Sequence, residues 1–374
     1  MQNRYYDGGG MEEEKPRLLL MGLRRSGRSS IANVVFNKLP PSDTLYLEST
    51  RDINKERMHS FMDFQVWDIP AGVSYLDAPD QDIDGIFSSV GALIWVIDAQ
   101  DEYFTAIQRL NDTILYLCRR YHSPQHPDNP FDGMPHIEVF VHKVDGLSDD
   151  FRADVFRDIQ QRILDDVADH GFDAAPIHFY STSIYDATIF EAFSKVIQRL
   201  VPQLPALENL LNGLCSKTGV EKAYLFDVCT KIYIASDTTP GDITQYETCS
   251  DLIDVVVDIS EIYGWERPDP EPGSFEEKML AQETGNSDAE AMITMERRGA
   301  KCLYLREVNK YLALVCIMAV DDPAEKRAMV EYNMRVFARG VNQVFEVRPR
   351  LMEDAELKRV QRAKASEAKM GRKK

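Results

Sequence analysis

A chain of 374 residues has room for two domains with a hydrophobic core each. Its 44% hydrophobic and 28% charged residues are those of an ordinary globular protein, while a net charge of −18 argues against nucleic acid as a partner, which needs concentrated positive charge. No apolar run approaches the roughly 20 residues that cross a bilayer, so no membrane span is expected.

Residues 1–15 join three consecutive glycines to three consecutive glutamates, the composition of a disordered leader without a signal-peptide core. From residue 16 the pattern changes. Leu18 to Met21 form an apolar run too short for a globular helix, which reads as a strand buried on both faces. Gly22, Leu23, Arg24, Arg25, Ser26, Gly27, Arg28 and Ser29 follow, and then Ile31, Val34, Val35 and Lys38 fall at helical spacing after Ser30. Strand, glycine loop and helix aim backbone N–H groups and a helix N-terminus at one point, which suits a phosphate. The G-x-x-x-x-G-K-[ST] pattern is matched at every fixed position except the lysine, which is Arg28.

Pro40 and Pro41 end that helix, and 42–60 reads as a polar, irregular loop. Strands are predicted over 61–69, 92–98, 136–142 and 177–180, with helices over 104–119, 152–170 and 189–200 between them. The alternation implies a mostly parallel sheet covered on both faces, which binds ligands beyond the carboxyl ends of its strands. Pro202 and Pro205 mark a boundary. Beyond it a strand over 222–236, a helix over 243–263, strands over 301–308 and 311–320 and a helix over 324–345 predict a small α+β unit with a largely antiparallel sheet. Residues 264–298 carry no clear pattern. The resulting division is a leader (1–15), a P-loop domain (16–203), a second domain (204–347) and a tail (348–374). The tail's last twenty residues hold eight basic side chains, which read as an acidic-partner surface, a lipid contact, a nuclear address or a solvated helix. The six cysteines form no C-x-x-C pair and read as reduced core residues of a cytosolic protein.

Three further strand ends give the glycine loop its chemistry. Asp68, in the run Trp67 to Gly72, is placed to hold the water shell of Mg²⁺ while Ser29 ligates the ion. Guanine-nucleotide switches carry D-x-x-G there, and in this chain the glycine position is Ala71. His142, Lys143, Val144 and Asp145 resemble the N-K-x-D element, whose carboxylate accepts from the N1–H and amine of guanine while the lysine stem covers the base. Ser183 and Ile184, in the run Tyr180 to Ile184, stand where a backbone N–H meets guanine O6. Thr50 and Thr44 both qualify as the switch-loop hydroxyl that reaches Mg²⁺; Thr50 is preferred. No catalytic side chain is assigned. An ATP-dependent P-loop enzyme would leave the His142 to Asp145 element unexplained.

In order and spacing, GLRRSGRSS, TLYLEST, WDIP, GALIWVIDAQD, VFVHKVDGLSDD, the STSIYDATIFEAFSK stretch, KAYLFDVCTKIYIASD and YLALVCI resemble the C/D branch of the Rag GTPases. The resemblance implies a Ras-like GTPase domain followed by a roadblock-type dimerisation domain, binding of GTP or GDP with Mg²⁺, and slow hydrolysis. It also implies an obligate heterodimer with an A/B-type Rag subunit, docking on the lysosomal surface through a Ragulator-type scaffold, a folliculin-type activator, and recruitment of TOR complex 1 when amino acids are plentiful. Three features depart from the family pattern: Arg28, Ala71 with no glutamine at the next positions, and a long loop over 122–135. The first two raise a rival reading, a pseudo-GTPase that holds GDP without turnover.

Overall fold

The computed structural model describes residues 16–48, 53–58, 61, 64–70, 86–87, 90–123, 130–262, 290–295, 301–319 and 328–345. The expected leader, the basic tail, Thr50, Ala71 and the middle of the 122–135 loop lie outside them. The contacts divide the chain into two compact units that meet at 200/201.

The first unit is a six-stranded sheet in the order β2-β3-β1-β4-β5-β6. Its strands are β1 (Arg17–Gly22), β2 (Asn54–Met58), β3 (Phe64–Asp68), β4 (Val90–Asp98), β5 (His136–His142) and β6 (Ile177–Thr182). Only β2 runs antiparallel; β1 pairs in parallel with both β3 and β4, and β5 with both β4 and β6. The helices are α1 (Arg28–Phe36), α2 (Phe104–Tyr121), α3 (Asp149–Asp169) and α4 (Thr188–Leu200).

The period of two along each central strand sorts its side chains between two cores. Leu19, Met21, Leu93, Trp95, Ile97, Val139 and Val141 pack against Ile107, Leu110 and Ile114 of α2 and Ile159 and Ile163 of α3. On the opposite face Phe193 of α4 stacks edge-on against Phe140 of β5 and Phe36 of α1, with centroids 5.4 and 5.2 Å apart. Both faces being covered, these strands read as continuous apolar runs. Two elements of the polar 42–60 stretch differ from the irregular loop expected there. Pro41–Tyr46 is a 3-10 turn, and β2 is an edge strand whose sequence, NKERM, carries no apolar alternation.

The second unit is a five-stranded antiparallel sheet in the order β8-β7-β11-β10-β9. It consists of β7 (Val220–Asp227), β8 (Tyr233–Ser236), β9 (Glu290–Met295), β10 (Lys301–Glu307) and β11 (Leu312–Ala319), with helices α5 (Leu204–Thr218), α6 (Ile243–Ile262) and α7 (328–345). The single strand expected over 222–236 is a hairpin. Asp227 Oδ2 accepts from the backbone N–H and hydroxyl of Thr230, and Lys231 turns the chain with φ 60°. Helix α5 was not expected, because Pro205 reads as a breaker; it occupies the first turn, where a proline forfeits no intrahelical bond. Leu207, Leu211 and Leu214 of α5, Leu252 and Ile253 of α6, and Met334, Phe337 and Val341 of α7 are buried in the unit's core.

Candidate functional site

The glycine loop leaves β1 and enters α1 at the carboxyl end of the sheet, and two of its residues allow no side chain. Gly22 has φ 147°, and a Cβ there would lie 2.4 Å from Val96 O. Gly27, the N-cap of α1, has φ 102°, and its Cβ would lie 2.7 Å from Cδ2 of His142. Arg25 also turns with positive φ, at 67°. Ser26 is 3% exposed, and its Oγ has no hydrogen-bond partner among the described residues. A buried hydroxyl of this kind, beside a helix N-terminus that carries partial positive charge, fits an anion. Arg24 and Arg25 are exposed, whereas Arg28 is 7% exposed and turns inward.

Asp68 ends β3 under this loop. Its Oδ2 accepts from Ser29 Oγ at 2.5 Å, and its Oδ1 lies 3.5 Å from Arg28 Nη1. A hydroxyl and a carboxylate held together are hard oxygen donors that fit Mg²⁺, which would supply positive charge against a phosphate when bound. The arginine at the lysine position is what distinguishes the site, because its guanidinium sits on the carboxylate that would serve the ion. Arg28→Lys replaces a planar fork by a compact ammonium. We expect it to tighten Mg²⁺ on the order of tenfold, read as slower nucleotide release at limiting free Mg²⁺. Of the two switch-loop threonines, Thr44 is buried and donates to Pro41 O at 2.7 Å within its own turn.

The loop that follows β5 approaches the glycine loop from the other side. Lys143, with φ 63°, donates from Nζ to the Arg25 carbonyl at 2.7 Å and to Asp98 Oδ2 at 2.5 Å. Gln100 donates to Lys143 O at 2.6 Å and sits over Gly146, where a Cβ would lie 2.2 Å from its amide nitrogen. Asp145 is exposed, and its Oδ1 accepts from Ser183 Oγ at 2.7 Å. Ser183 is itself fixed, since its Oγ accepts from Tyr185 N and its N–H donates to Thr188 Oγ1. One carboxylate oxygen is thereby pinned, which fixes the direction of the other. Ile184 is half-buried in the same turn, and Ser30 is half-buried in the first turn of α1.

His142 lies beneath the glycine loop. It is 1% exposed, its Nδ1 lies 3.0 Å from Thr182 Oγ1, and its ring edge forms the floor under Gly27. It braces the phosphate loop from beneath. Burial, helped by the Lys143 ammonium, pulls its pKa down to about 4. An unfolded histidine titrates near 6.5, so as the pH falls from about 6.5 to 4 the unfolded chain takes up a proton that the folded chain refuses. Stability is therefore complete above that window and lost within it, by about 3 kcal/mol from this group. Urea midpoints measured at pH 7 and pH 5 should separate more for the native chain than for His142→Asn.

Asp98, Gln100 and Thr188 escaped the sequence reading. Asp98 stood in plain view at the end of ALIWVID, a third carboxylate at a strand end, but no motif singled it out.

The conserved region of the Gtr1/RagA G proteins matches residues 17–253, which takes in every site residue described above. The chain belongs to the Gtr1/RagA family of G proteins. Among its relatives, human Ras-related GTP-binding protein C is 49% identical over 342 residues, covering 91% of this chain and 79% of that protein. GTP-binding protein gtr2 of Schizosaccharomyces pombe is also 49% identical, over 89% of this chain and 99% of its own length. The gtr1 protein of the same yeast is more distant, 27% identical over 64% of this chain. The chain is thus a Rag-family GTP-binding protein on the C/D and Gtr2 side of the family.

Proposed function

We propose that this chain is the guanine-nucleotide switch subunit of a Rag-type heterodimer, whose output is a binding surface rather than a product. The observation that carries the proposal is the convergence at one end of the sheet of the Gly22–Ser29 loop, the Ser29–Asp68 pair and the Asp145–Ser183 pair. In this reading the loop's N–H groups and Arg28 hold phosphate, Ser29, Asp68 and Thr50 serve Mg²⁺, and Lys143, Asp145, Ser183 and Ile184 hold guanine over the brace formed by His142. Ala71 takes the switch-glycine position. Its chain neighbours include no glutamine to orient a water, so GTP hydrolysis is slow and depends on a partner.

The second unit supplies the partner's surface. Helix α6 turns Leu252 and Ile253 inward but leaves Val255 47% and Ile259 50% exposed, and α7 leaves Tyr332 68% and Val336 48% exposed. Apolar faces of this kind fit the matching domain of an A/B-type Rag subunit. Further proposals rest on kinship with Rag C and gtr2. They are docking at the lysosomal surface through a Ragulator-type scaffold, recruitment of TOR complex 1 under amino-acid sufficiency, activation of hydrolysis by a folliculin-type complex, and a cytoplasmic location with a nuclear option in the basic tail.

The Arg28–Asp68 contact favours a second reading, a pseudo-GTPase that holds GDP without turnover. Competition of GTP against GDP on the purified heterodimer, with single-turnover hydrolysis followed in the same sample, separates them. GTP bound and cleaved, however slowly, supports the switch; binding of GDP alone supports the pseudo-GTPase. Failure to bind either nucleotide overturns both.

A further inference from the structure

The opposite end of the same sheet carries a polar cluster that nucleotide binding does not use. His136 and Glu138 are two residues apart on β5 and so share a face, and His178 of β6 is the register partner of Glu138. One nitrogen of each imidazole and one carboxylate oxygen of Glu138 all lie within 4.8 Å of one another. Glu138 is fully buried, and its Oε1 is 3.6 Å from His178 Nδ1. The Nδ1 atoms of His136 and His178 are both buried without a hydrogen-bond partner among the described residues. Leaving two such atoms unsatisfied is costly.

We propose that His136, Glu138 and His178 form a binding site for a divalent transition-metal ion of the zinc type. Two imidazoles and a carboxylate are a borderline donor set that suits zinc and disfavours Mg²⁺, which prefers oxygen ligands. With bonds of about 2.0–2.2 Å, tetrahedral donors stand about 3.4 Å apart, close to the separation of His178 from Glu138. His136, whose nearer nitrogen lies within 4.8 Å of the other two donors, completes the set by closing on the ion. His178 is 33% exposed, which gives the ion a path in and leaves the fourth position to water. Both rings are ready to bind at neutral pH. Burial, reinforced by Arg199 and His136, pulls His178 down to about 4, and burial with Arg199 lowers His136 as well.

Arg199 of α4 is the group that a bound ion must accommodate. Its Nη1 lies 3.2 Å from both Glu138 oxygens and also meets the Tyr180 hydroxyl. With Oε1 turned to His178, Oε2 keeps the guanidinium, which becomes an outer partner that orients the ligating carboxylate. Its positive charge weakens the site relative to an uncompensated one, so the ion exchanges with solution. Bound there, it ties β5 to β6 at the ends where they enter the sheet. Along β5 that is six residues, about 20 Å, from His142.

The test uses the full chain in Mg²⁺ buffer, titrated with Zn²⁺ against a chromophoric chelator, beside His136→Asn, His178→Ser and the double variant. The native chain should bind one more zinc than the double variant, with each single variant weakened at least about tenfold. Equal stoichiometry and affinity in all four would overturn the site and assign any zinc to the thiols. The native chain labelled with ¹⁵N-histidine gives an answer independent of variant folding. Two of its seven imidazoles should shift together with substoichiometric Zn²⁺; shifts confined to exposed rings, or none, would equally overturn it.

Discussion

Replacing Asp145 by alanine is expected to lower the affinity for GDP and GTP alike by more than 100-fold. In the proposed reading the other oxygen of this carboxylate would accept from two donors of guanine, N1–H and the exocyclic amine. Hydrogen bonds to a charged acceptor are worth about 1.5–3 kcal/mol each, so losing both removes about 3 kcal/mol or more. Ser183→Ala should cost much less, because Ser183 donates to the other oxygen and only fixes the carboxylate's direction. Asp145→Asn offers a sharper comparison. It turns an acceptor into a donor and should shift preference from guanine towards xanthine, which has a carbonyl where guanine has its amine. Equilibrium competition with labelled GDP measures all three. An alanine variant that binds GDP as the native chain does would place base recognition elsewhere.

Gly27→Ala is the second large effect, and it strikes both fold and binding. The substitution places a side chain at φ 102°, and its Cβ would sit 2.7 Å from a carbon of the His142 ring. That ring cannot retreat, being 1% exposed and held at Thr182. Backbone strain and overpacking are each worth about 1–3 kcal/mol, so a total loss of about 2–6 kcal/mol is expected, along with loss of nucleotide binding as the loop lifts. Denaturant titration checks the first, and retention of copurified nucleotide checks the second. Gly171→Ala is a useful control, since it has φ 78° but no atom within 4 Å of a built Cβ, so it carries the strain without the clash.

The parts of this fold that could be read from the sequence are those where burial dictates composition. Leu18 to Met21 and Ala92 to Ile97 are apolar because both faces of their strands are covered, and Gly22 and Gly27 are glycine because nothing larger fits. The elements that stayed hidden are those with little burial or with two meanings for one residue. β2 is an edge strand of polar residues, β9 is mostly exposed, and Pro205 starts a helix as readily as it stops one. His142 shows the same limit within the site. Its place in the motif is plain in the sequence, but its packing under Gly27 has no periodicity to announce it and is seen only in the fold.

Lys143 has a consequence for how the site empties. Its single ammonium holds a carbonyl of the glycine loop and the Asp98 carboxylate at once, while its backbone begins the turn that presents Asp145. The two halves of the site are therefore splinted together. A nucleotide should leave in one kinetic step, with no stage at which the sugar and base swing free while the phosphates stay gripped. A regulator that displaces either loop thereby loosens the other, and needs to reach only one edge of the domain to discharge the whole ligand.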